Sequence, residues 1–207
     1  MAVSSAFQVS YAQSSQPEAI DLGLSVKWAD RNLGASSSEE YGEYYAWGET
    51  SPKSEYSRST LKYSTDKWKV LFNKYVPSDK SRYWSGNGSP DNKTRLDMSD
   101  DAARANLGGK WRTPTKDEWE ELIEKCTWSW TGSGYKVTGP NGRSIFLPAA
   151  GCRLASSSFA VGSGGDYWSS SLTGDPNYVL NMEFDSGVYH MFFCERLVGI
   201  SVRPVMD

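Results

Sequence analysis

The chain has 207 residues, and its 22 Lys and Arg stand against 25 Asp and Glu, which gives a net charge of −3. The basic residues are interspersed with acidic ones, so the sequence does not predict a basic surface for nucleic acid. No stretch reaches the roughly 18 apolar residues that a membrane span needs. The many Trp, Tyr, Phe, Gly and Ser residues are typical of a loop-rich fold held by aromatic packing.

The N-terminal residues 1–17 lack the basic start and apolar stretch of a signal peptide, and we expect them to form a flexible tail. Residues 18–207 are expected to form a single domain. It begins with an alternation of apolar and polar residues that predicts a half-buried strand, at Leu22, Leu24, Val26 and Trp28. A second, aromatic strand is expected over residues 41–49, where Gly48 ends it.

Residues 50–94 form a long polar segment with isolated aromatic residues. Long loops in compact domains are usually functional or held by their own side chains. We expect the aromatic residues to hold this loop against the body, at Tyr56, Tyr63, Trp68, Phe72, Tyr75, Tyr83 and Trp84.

Two helices are predicted after this loop. The first covers Ser99 to Asn106, because its start is acidic and Gly108-Gly109 would end it. The second begins with a capping box formed by Thr115 and Glu118. Its apolar stripe of Trp119, Leu122, Ile123 and Cys126 predicts a buried face, in which Cys126 is a small core residue.

The remaining segments predict antiparallel strands. Asn141-Gly142 favours a hairpin between residues 135–138 and 144–147, because this pair accepts positive φ. Four further strands are expected at Tyr167–Ser171, Tyr178–Phe184, Val188–Phe193 and Gly199–Val205. Strands on both sides of two helices predict an α+β fold with short antiparallel strands and long loops.

Catalytic and metal-binding patterns are missing from the sequence. The acidic pairs Glu39-Glu40, Asp100-Asp101 and Glu120-Glu121 are typical of solvated faces, and the single His190 is too little for a histidine-based metal site. Asp175-Pro176-Asn177 lacks the further oxygen ligands that calcium needs. We therefore predict no cofactor, no metal ion and no enzymatic activity.

Six motifs in combination resemble a known family. They are Asp21-Leu22-Gly23-Leu24-Ser25-Val26-Lys27-Trp28, Tyr44-Tyr45-Ala46-Trp47-Gly48-Glu49, Gly108-Gly109-Lys110-Trp111-Arg112-Thr113-Pro114-Thr115, Leu147-Pro148-Ala149-Ala150-Gly151, Tyr167-Trp168-Ser169-Ser170-Ser171 and Ser201-Val202-Arg203-Pro204-Val205. Over roughly residues 18–207 the chain resembles Bacteroidetes-type surface domains, a branch of the C-type lectin fold related to the formylglycine-generating enzymes. The resemblance implies a C-type lectin-like fold.

Some members of that branch are variable proteins of diversity-generating retroelements, in which error-prone reverse transcription changes residues at template adenines. The resemblance implies a variable region at residues 152–200. Variable Asn codons can become Phe, Tyr, Cys, Leu, Val, Ile, His or Asp, but not Met, Trp, Lys, Gln or Glu. Met182, Glu183, Met191 and Glu195 therefore belong to the framework. The candidate ligand-binding positions are Cys152, Leu154, Phe159, Asp166, Val179, Asn181, Asp185, Tyr189, His190, Phe192, Phe193, Cys194, Leu197, Val198 and Ile200.

The resemblance predicts a recognition or adhesion domain that binds an unknown protein or cell-surface ligand, displayed at a cell surface or on a virion. Five side chains of the apolar run are expected to be solvent-accessible and clustered, at Phe192, Phe193, Cys194, Leu197 and Val198. Trp168, Phe184, Val202 and Val205 are expected in the core. Arg203 is expected as a buried polar anchor.

Three alternatives remain open at this point. The apolar run can instead fill the core. An invariant surface domain would bind glycans through tryptophan faces, with Trp84, Trp128 and Trp130 as candidates. A degenerate enzyme of the formylglycine-generating type would need a cysteine pair, and no motif places Cys152 and Cys194 as one.

Overall fold

The computed structural model describes residues 16–207, so residues 1–15 of the predicted tail lie outside the described part. The helices are α1 (Ala102–Leu107) and α2 (Lys116–Lys125), with short 3-10 helices at Arg58–Thr60, Ser78–Tyr83 and Met98–Asp100. The strands are β1 (Ala19–Ile20), β2 (Lys27–Ala29), β3 (Tyr44–Tyr45), β4 (Trp111–Arg112), β5 (Thr127–Trp130), β6 (Gly134–Thr138), β7 (Ser144–Pro148), β8 (Cys152–Leu154), β9 (Ser157–Phe159), β10 (Gly164–Leu172), β11 (Tyr178–Asp185), β12 (Tyr189–Glu195), β13 (Ile200–Ser201) and β14 (Val205–Met206).

The predicted class, an α+β C-type lectin-like fold with two helices, is wrong, because residues 16–207 are mostly β. Their strands form four sheets, whereas α1 and α2 have only six and ten residues. The first predicted helix is shortened because Met98–Asp100 forms a separate 3-10 turn before it. No helix within residues 16–207 is long and apolar enough to cross a membrane.

The largest sheet sets the position of the C-terminal segments. Its strand order is β12-β11-β10-β13-β3, so β12 lies at an edge. A second sheet has the order β1-β2-β14-β4, a third has the order β5-β6-β7, and β8 and β9 form a separate hairpin. The hairpin predicted around Asn141-Gly142 is confirmed as β6–β7, with Gly142 at a φ of 82°.

Two hydrophobic clusters meet at β10, where consecutive residues belong to different clusters. Tyr167 packs with Trp119 in one, and Trp168 packs with Tyr45 and Trp47 in the other. The Trp168 indole donates a hydrogen bond to the Tyr45 carbonyl at 2.7 Å, and the Trp119 indole donates one to the Trp168 carbonyl at 3.1 Å. Buried indoles therefore fix β10 to both halves of the core.

The predicted core residues and the arginine anchor are confirmed. Trp168, Phe184, Val202 and Val205 are all buried. The Arg203 guanidinium is fully buried and donates hydrogen bonds to Asn32 Oδ1 at 2.9 Å, to the Ala29 carbonyl at 3.0 Å and to the Phe146 carbonyl at 2.7 Å. These bonds tie the C-terminal segment to two distant parts of the chain.

Local signals at the helices are also confirmed. Thr115 and Glu118 form the reciprocal capping box of α2, and Gly108 ends α1 with a φ of 66°. Trp119 and Leu122 are buried, whereas Cys126 at the end of α2 is only half-buried. The capping box of α2 and the glycine after α1 were therefore predicted correctly, whereas α1 begins at Ala102 and not at the predicted Ser99.

The alternation of apolar and polar residues near the N-terminus predicts which side chains are buried better than it predicts the extent of the strand. Leu22, Val26 and Trp28 are buried, but the strand covers only Lys27–Ala29. Likewise, the aromatic segment at 41–49 forms a strand only at Tyr44–Tyr45. Both segments are held mainly by packing instead of by a ladder of strand hydrogen bonds.

The long loop at 50–94 is held by buried aromatic residues, as predicted for Tyr56, Phe72 and Tyr75. Trp68 is the exception, since 83% of its surface is exposed. The loop is also tied to Asp100, a buried carboxylate that accepts hydrogen bonds from both lysines and both tyrosines that surround it, namely Lys62, Tyr63, Lys74 and Tyr75. Asp100 thereby connects the loop to the segment before α1. The prediction that Asp100-Asp101 lies on a solvated face is wrong, because both residues are buried.

Candidate functional site

The apolar run of residues 189–198 divides at Glu195, where β12 ends. Phe192 and Phe193 on β12 are exposed, and Cys194 is half-buried. After Glu195 the chain turns inward, and Leu197 and Val198 pack into the core. The prediction that all five side chains are accessible is therefore wrong for Leu197 and Val198.

The inward turn is fixed by Arg196. Its guanidinium donates hydrogen bonds to the carbonyls of Pro176 at 3.0 Å and Lys74 at 3.2 Å. It also lies over the rings of Trp47 and Phe72. Because a buried cation needs these partners, the residues that follow it are drawn into the core.

The exposed aromatic residues of β12 support one another. The rings of Phe192 and Phe193 are stacked with their centroids 4.6 Å apart, and the Phe193 ring meets Tyr178 edge-on at 5.4 Å. His190 contacts Phe192 edge-on at 5.7 Å. Mutual packing restricts the rotamers of these rings, so less entropy is lost when a ligand binds to them.

Strand register places two carboxylates on the face of the sheet that carries His190 and Phe192. Asp166 on β10 lies opposite Glu183 on β11, and Glu183 lies opposite His190 on β12. In the adjacent row, Asn181 on β11 lies opposite Phe192. Because side chains that are paired or two residues apart share a face of a sheet, these five residues lie on one face.

The β8–β9 hairpin borders the same face. Cys152 pairs with Phe159 across the hairpin. Burial raises the pKa of Cys152, and the nearby negative charges of Asp166 and Glu183 raise it further. Phe159 is exposed. We use the term open face for the set Cys152, Phe159, Asp166, Glu183, His190, Phe192 and Cys194.

The carboxyl group of Asp166 has a strongly raised pKa. Burial and the nearby charge of Glu183 raise its pKa to about 7, although a hydrogen bond from Asn181 Nδ2 to Asp166 Oδ1 at 2.9 Å opposes the shift. Within residues 16–207 neither Asp166 nor Glu183 forms a salt bridge with a cation. The buried Asn181 Oδ1 atom also has no hydrogen-bond partner there. The open face therefore offers acceptors that a positively charged group would satisfy.

The two cysteines of the open face are free thiols. Burial and the charge of Asp166 raise the pKa of Cys152 to about 11 and that of Cys194 to about 12. Both thiols are therefore protonated at neutral pH and are poor nucleophiles. No group of three His, Cys, Asp or Glu residues within residues 16–207 is placed to hold a metal ion.

The remaining candidate positions differ in burial. Val179, Leu197, Val198 and Ile200 are buried, so none of these four presents its side chain to a ligand. Asn181 is buried as well, and only its unpaired Oδ1 atom is left to accept a hydrogen bond. Leu154 and Asp185 are exposed, although Asp185 accepts hydrogen bonds from the backbone of Gly187 and Val188 and so supports the β11–β12 turn. Tyr189 is half-buried beneath Trp128.

Sequence reasoning missed Glu183 as a site residue, because the codon rule placed it in the framework. Its alternation with Asn181 along a predicted strand was the available signal, since residues two apart share a face. The exposed apolar residues Val161 and Val188 were missed as well.

The three tryptophans proposed for glycan binding are only half-exposed. Trp128 stacks on Tyr189 with the ring centroids 4.6 Å apart, and Trp130 meets Tyr135 and Phe184 edge-on. Trp84 donates its indole hydrogen bond to the Gly88 carbonyl. One face of Trp128 is therefore already covered by the protein.

Comparisons of the chain with protein-family models, with curated proteins and with solved structures find no match.

Proposed function

We propose that the chain is a binding module that recognises a protein ligand through the open face and the adjoining Phe193. The observation that carries the proposal is the combination of exposed, mutually packed aromatic rings with two carboxylates that lack a cation. Aromatic anchors beside charged groups are typical of the residues that dominate protein interfaces.

The ligand that fits this face presents a basic side chain among apolar ones. A Lys or Arg group placed between Asp166 and Glu183 would relieve the repulsion of the two carboxylates and satisfy their acceptors. Phe159, Phe192 and Phe193 would pack against the neighbouring apolar residues of the ligand. The neutral thiols of Cys152 and Cys194 favour binding over covalent chemistry.

Selection from a random peptide library tests this proposal. Peptides retained by the wild-type chain are expected to share a basic residue flanked by apolar ones. A Phe192→Ser/Phe193→Ser variant should lose these peptides, and Asp166→Asn should weaken them by about tenfold, the value of one lost charged contact. Trp68→Ser is the matched control, because it removes an exposed aromatic residue elsewhere and should change nothing.

The proposal fails if the retained peptides lack a common basic residue. It also fails if Trp68→Ser reduces retention as strongly as Phe192→Ser/Phe193→Ser does, because the peptides would then bind nonspecifically to any exposed aromatic ring.

We further propose that the exposed part of residues 152–200 is diversified by a retroelement and displayed at a cell surface or on a virion. The resemblance of the sequence motifs supports this proposal. Substitution of exposed residues costs little stability, and the exposed candidate positions include Leu154, Phe159, His190, Phe192 and Phe193. A near-copy of this coding segment beside a reverse transcriptase gene, differing only at adenines, is the expected genomic finding. Differences concentrated at buried Leu197, Val198 and Ile200 would contradict the proposal.

A further inference from the structure

A cavity of about 520 Å³ lies away from the open face, between α1, β4 and the C-terminal residue. Its walls include Arg104 of α1, Arg112 of β4 and Asp207. Sites for small molecules commonly measure roughly 300–1,000 Å³, so this cavity has the size of a ligand site. The proposed protein-binding function makes no use of it.

The charged side chains around the cavity are mostly basic. Four of the lining residues carry positive charge, and only two carry negative charge. The basic residues are Arg95, Arg104, Lys110 and Arg112, and the acidic residues are Asp101 and Asp207. The cavity therefore favours an anion.

Both acidic side chains are already occupied by donors from the protein. Asp101 accepts hydrogen bonds from the backbone of Arg104 and from the backbone and hydroxyl of Thr113. Asp207 accepts one from Arg112, whose guanidinium also makes two hydrogen bonds to Glu118. Asp101, Asp207 and Arg112 thus form the fixed wall of the cavity.

The other three basic side chains remain available. Within residues 16–207 the side chains of Arg95, Arg104 and Lys110 form no salt bridge, although Arg95 and Lys110 are close enough to help lower the pKa of Asp207. Arg104 is half-buried, whereas Arg95 and Lys110 are exposed. Three cations around one cavity with no carboxylate of their own provide a surplus of positive charge.

A buried hydroxyl gives an independent sign of a ligand. Ser170 lines the cavity and is only 2% exposed, yet its Oγ atom has no hydrogen-bond partner within residues 16–207. Its backbone is fixed by hydrogen bonds with Pro114 and Leu96. An unpaired buried hydroxyl is costly, and a bound oxygen atom would satisfy it.

We propose that this cavity binds a phosphate monoester. Arg95, Arg104 and Lys110 would contact the phosphate oxygens, and Ser170 would donate a hydrogen bond to one of them. A phosphate monoester carries close to two negative charges at neutral pH, which matches the surplus of the walls better than a singly charged sulfate ester does. Leu96 and Met98, which also line the cavity, would contact the organic part of the ester.

Isothermal titration calorimetry with three probes tests the site: inorganic phosphate, phenyl phosphate and phenyl sulfate. Phenyl phosphate is expected to bind at least about tenfold more tightly than the other two, because it alone combines the double charge with an apolar group. Arg104→Gln should weaken phenyl phosphate by about tenfold or more, since a hydrogen bond to a charged group is lost. Ser170→Ala should weaken it by about threefold to tenfold.

Ser170→Ala separates binding from folding, because removal of an unpaired buried hydroxyl should leave the unliganded protein at least as stable as the wild type. Arg143→Gln is the matched control, since Arg143 lies on the β6–β7 turn outside the cavity and should leave the affinity unchanged. The proposal is overturned if phenyl phosphate does not bind, if phenyl sulfate binds as tightly, or if Arg143→Gln weakens binding as much as Arg104→Gln.

Discussion

Two aspartates of this chain, Asp100 and Asp166, show how partners decide the effect of burial on a carboxyl group. Burial is the largest influence on both pKa values and acts to raise them. At Asp100, hydrogen bonds from Lys74, Tyr63, Tyr75 and Lys62 outweigh burial and hold the pKa well below its usual range. At Asp166 the negative charge of Glu183 adds to the effect of burial, and the pKa rises to about 7. Asp100 therefore has cationic partners within the fold, whereas no cation within residues 16–207 forms a salt bridge with Asp166.

The largest expected effect on stability comes from disrupting the hydrogen-bond network around Asp100. Asp100→Asn removes the buried charge that pairs with Lys62 and Lys74, and it turns one acceptor oxygen into an NH₂ donor that faces other donors. We expect the free energy of unfolding at neutral pH to fall by about 3–5 kcal/mol. Urea denaturation measures this change. Asp79→Asn, at a fully exposed aspartate, is the control and should leave the stability unchanged. A loss at Asp100 no larger than at Asp79 would show that the network around Asp100 contributes nothing.

The apolar side chains on either side of Glu195 extend the comparison from charges to packing. Leu197→Ala removes a core side chain and should lower the free energy of unfolding by about 2–4 kcal/mol, whereas Phe193→Ala should change it by less than about 0.5 kcal/mol. Thermal or urea denaturation of the two variants checks this difference. Equal losses would mean that Phe193 is part of the core.

We expect the raised pKa of Asp166 to make the free energy of unfolding depend on pH. Because the folded-state pKa of Asp166 is raised, its contribution to stability is present below the unfolded pKa of about 4 and is lost as the pH rises through about 7. Asp166→Asn imitates the protonated acid, so it should match the wild type near about pH 4 and exceed its stability by about 1–3 kcal/mol near about pH 8.

Urea denaturation across this pH range compares Asp166→Asn with Glu124→Gln, which removes an exposed carboxylate of α2. If Asp166→Asn and the wild type show the same dependence of stability on pH, the raised pKa of Asp166 is contradicted. The Asp100 contribution has the opposite sign, since it is lost only as the pH falls below about 4.

The smallest effect separates the two causes at Asp166. Glu183→Gln removes the neighbouring charge but keeps the burial, so the pKa of Asp166 should fall while staying above its ordinary value. We expect the linked change in stability to be below about 1 kcal/mol. Carboxyl titration by NMR measures the pKa directly. A return to the ordinary value would assign the whole shift to Glu183.

Features that depend on neighbours in sequence were predictable. The capping box of Thr115 and Glu118 and the turn at Gly142 each require only residues within a few positions, and both are present. Arg203 was predictable as an anchor because it precedes Pro204 in the C-terminal strand region. The mostly β class was not predictable, because short segments such as Trp111–Arg112 become strands only through distant partners such as β14.

The division of the candidate site also depends on distant partners. Leu197 and Phe193 satisfy the same codon rule, and only the carbonyls of Pro176 and Lys74, which hold Arg196, draw one of them inside. The Asp166–Glu183 pair likewise depends on the register of β10 and β11. Neither the register nor these contacts is encoded by any local pattern.

The β8–β9 hairpin is joined to the body by its main chain. Gly151 donates to Gly164 at 2.8 Å, Arg153 and Gly199 exchange two hydrogen bonds, and Ala155 and Tyr56 exchange two more. None of these bonds involves a side chain of the hairpin, so they survive replacement of Leu154 or Phe159. The hairpin can therefore carry many alternative side chains in one fixed position, which would let new specificities evolve without each requiring a new fold.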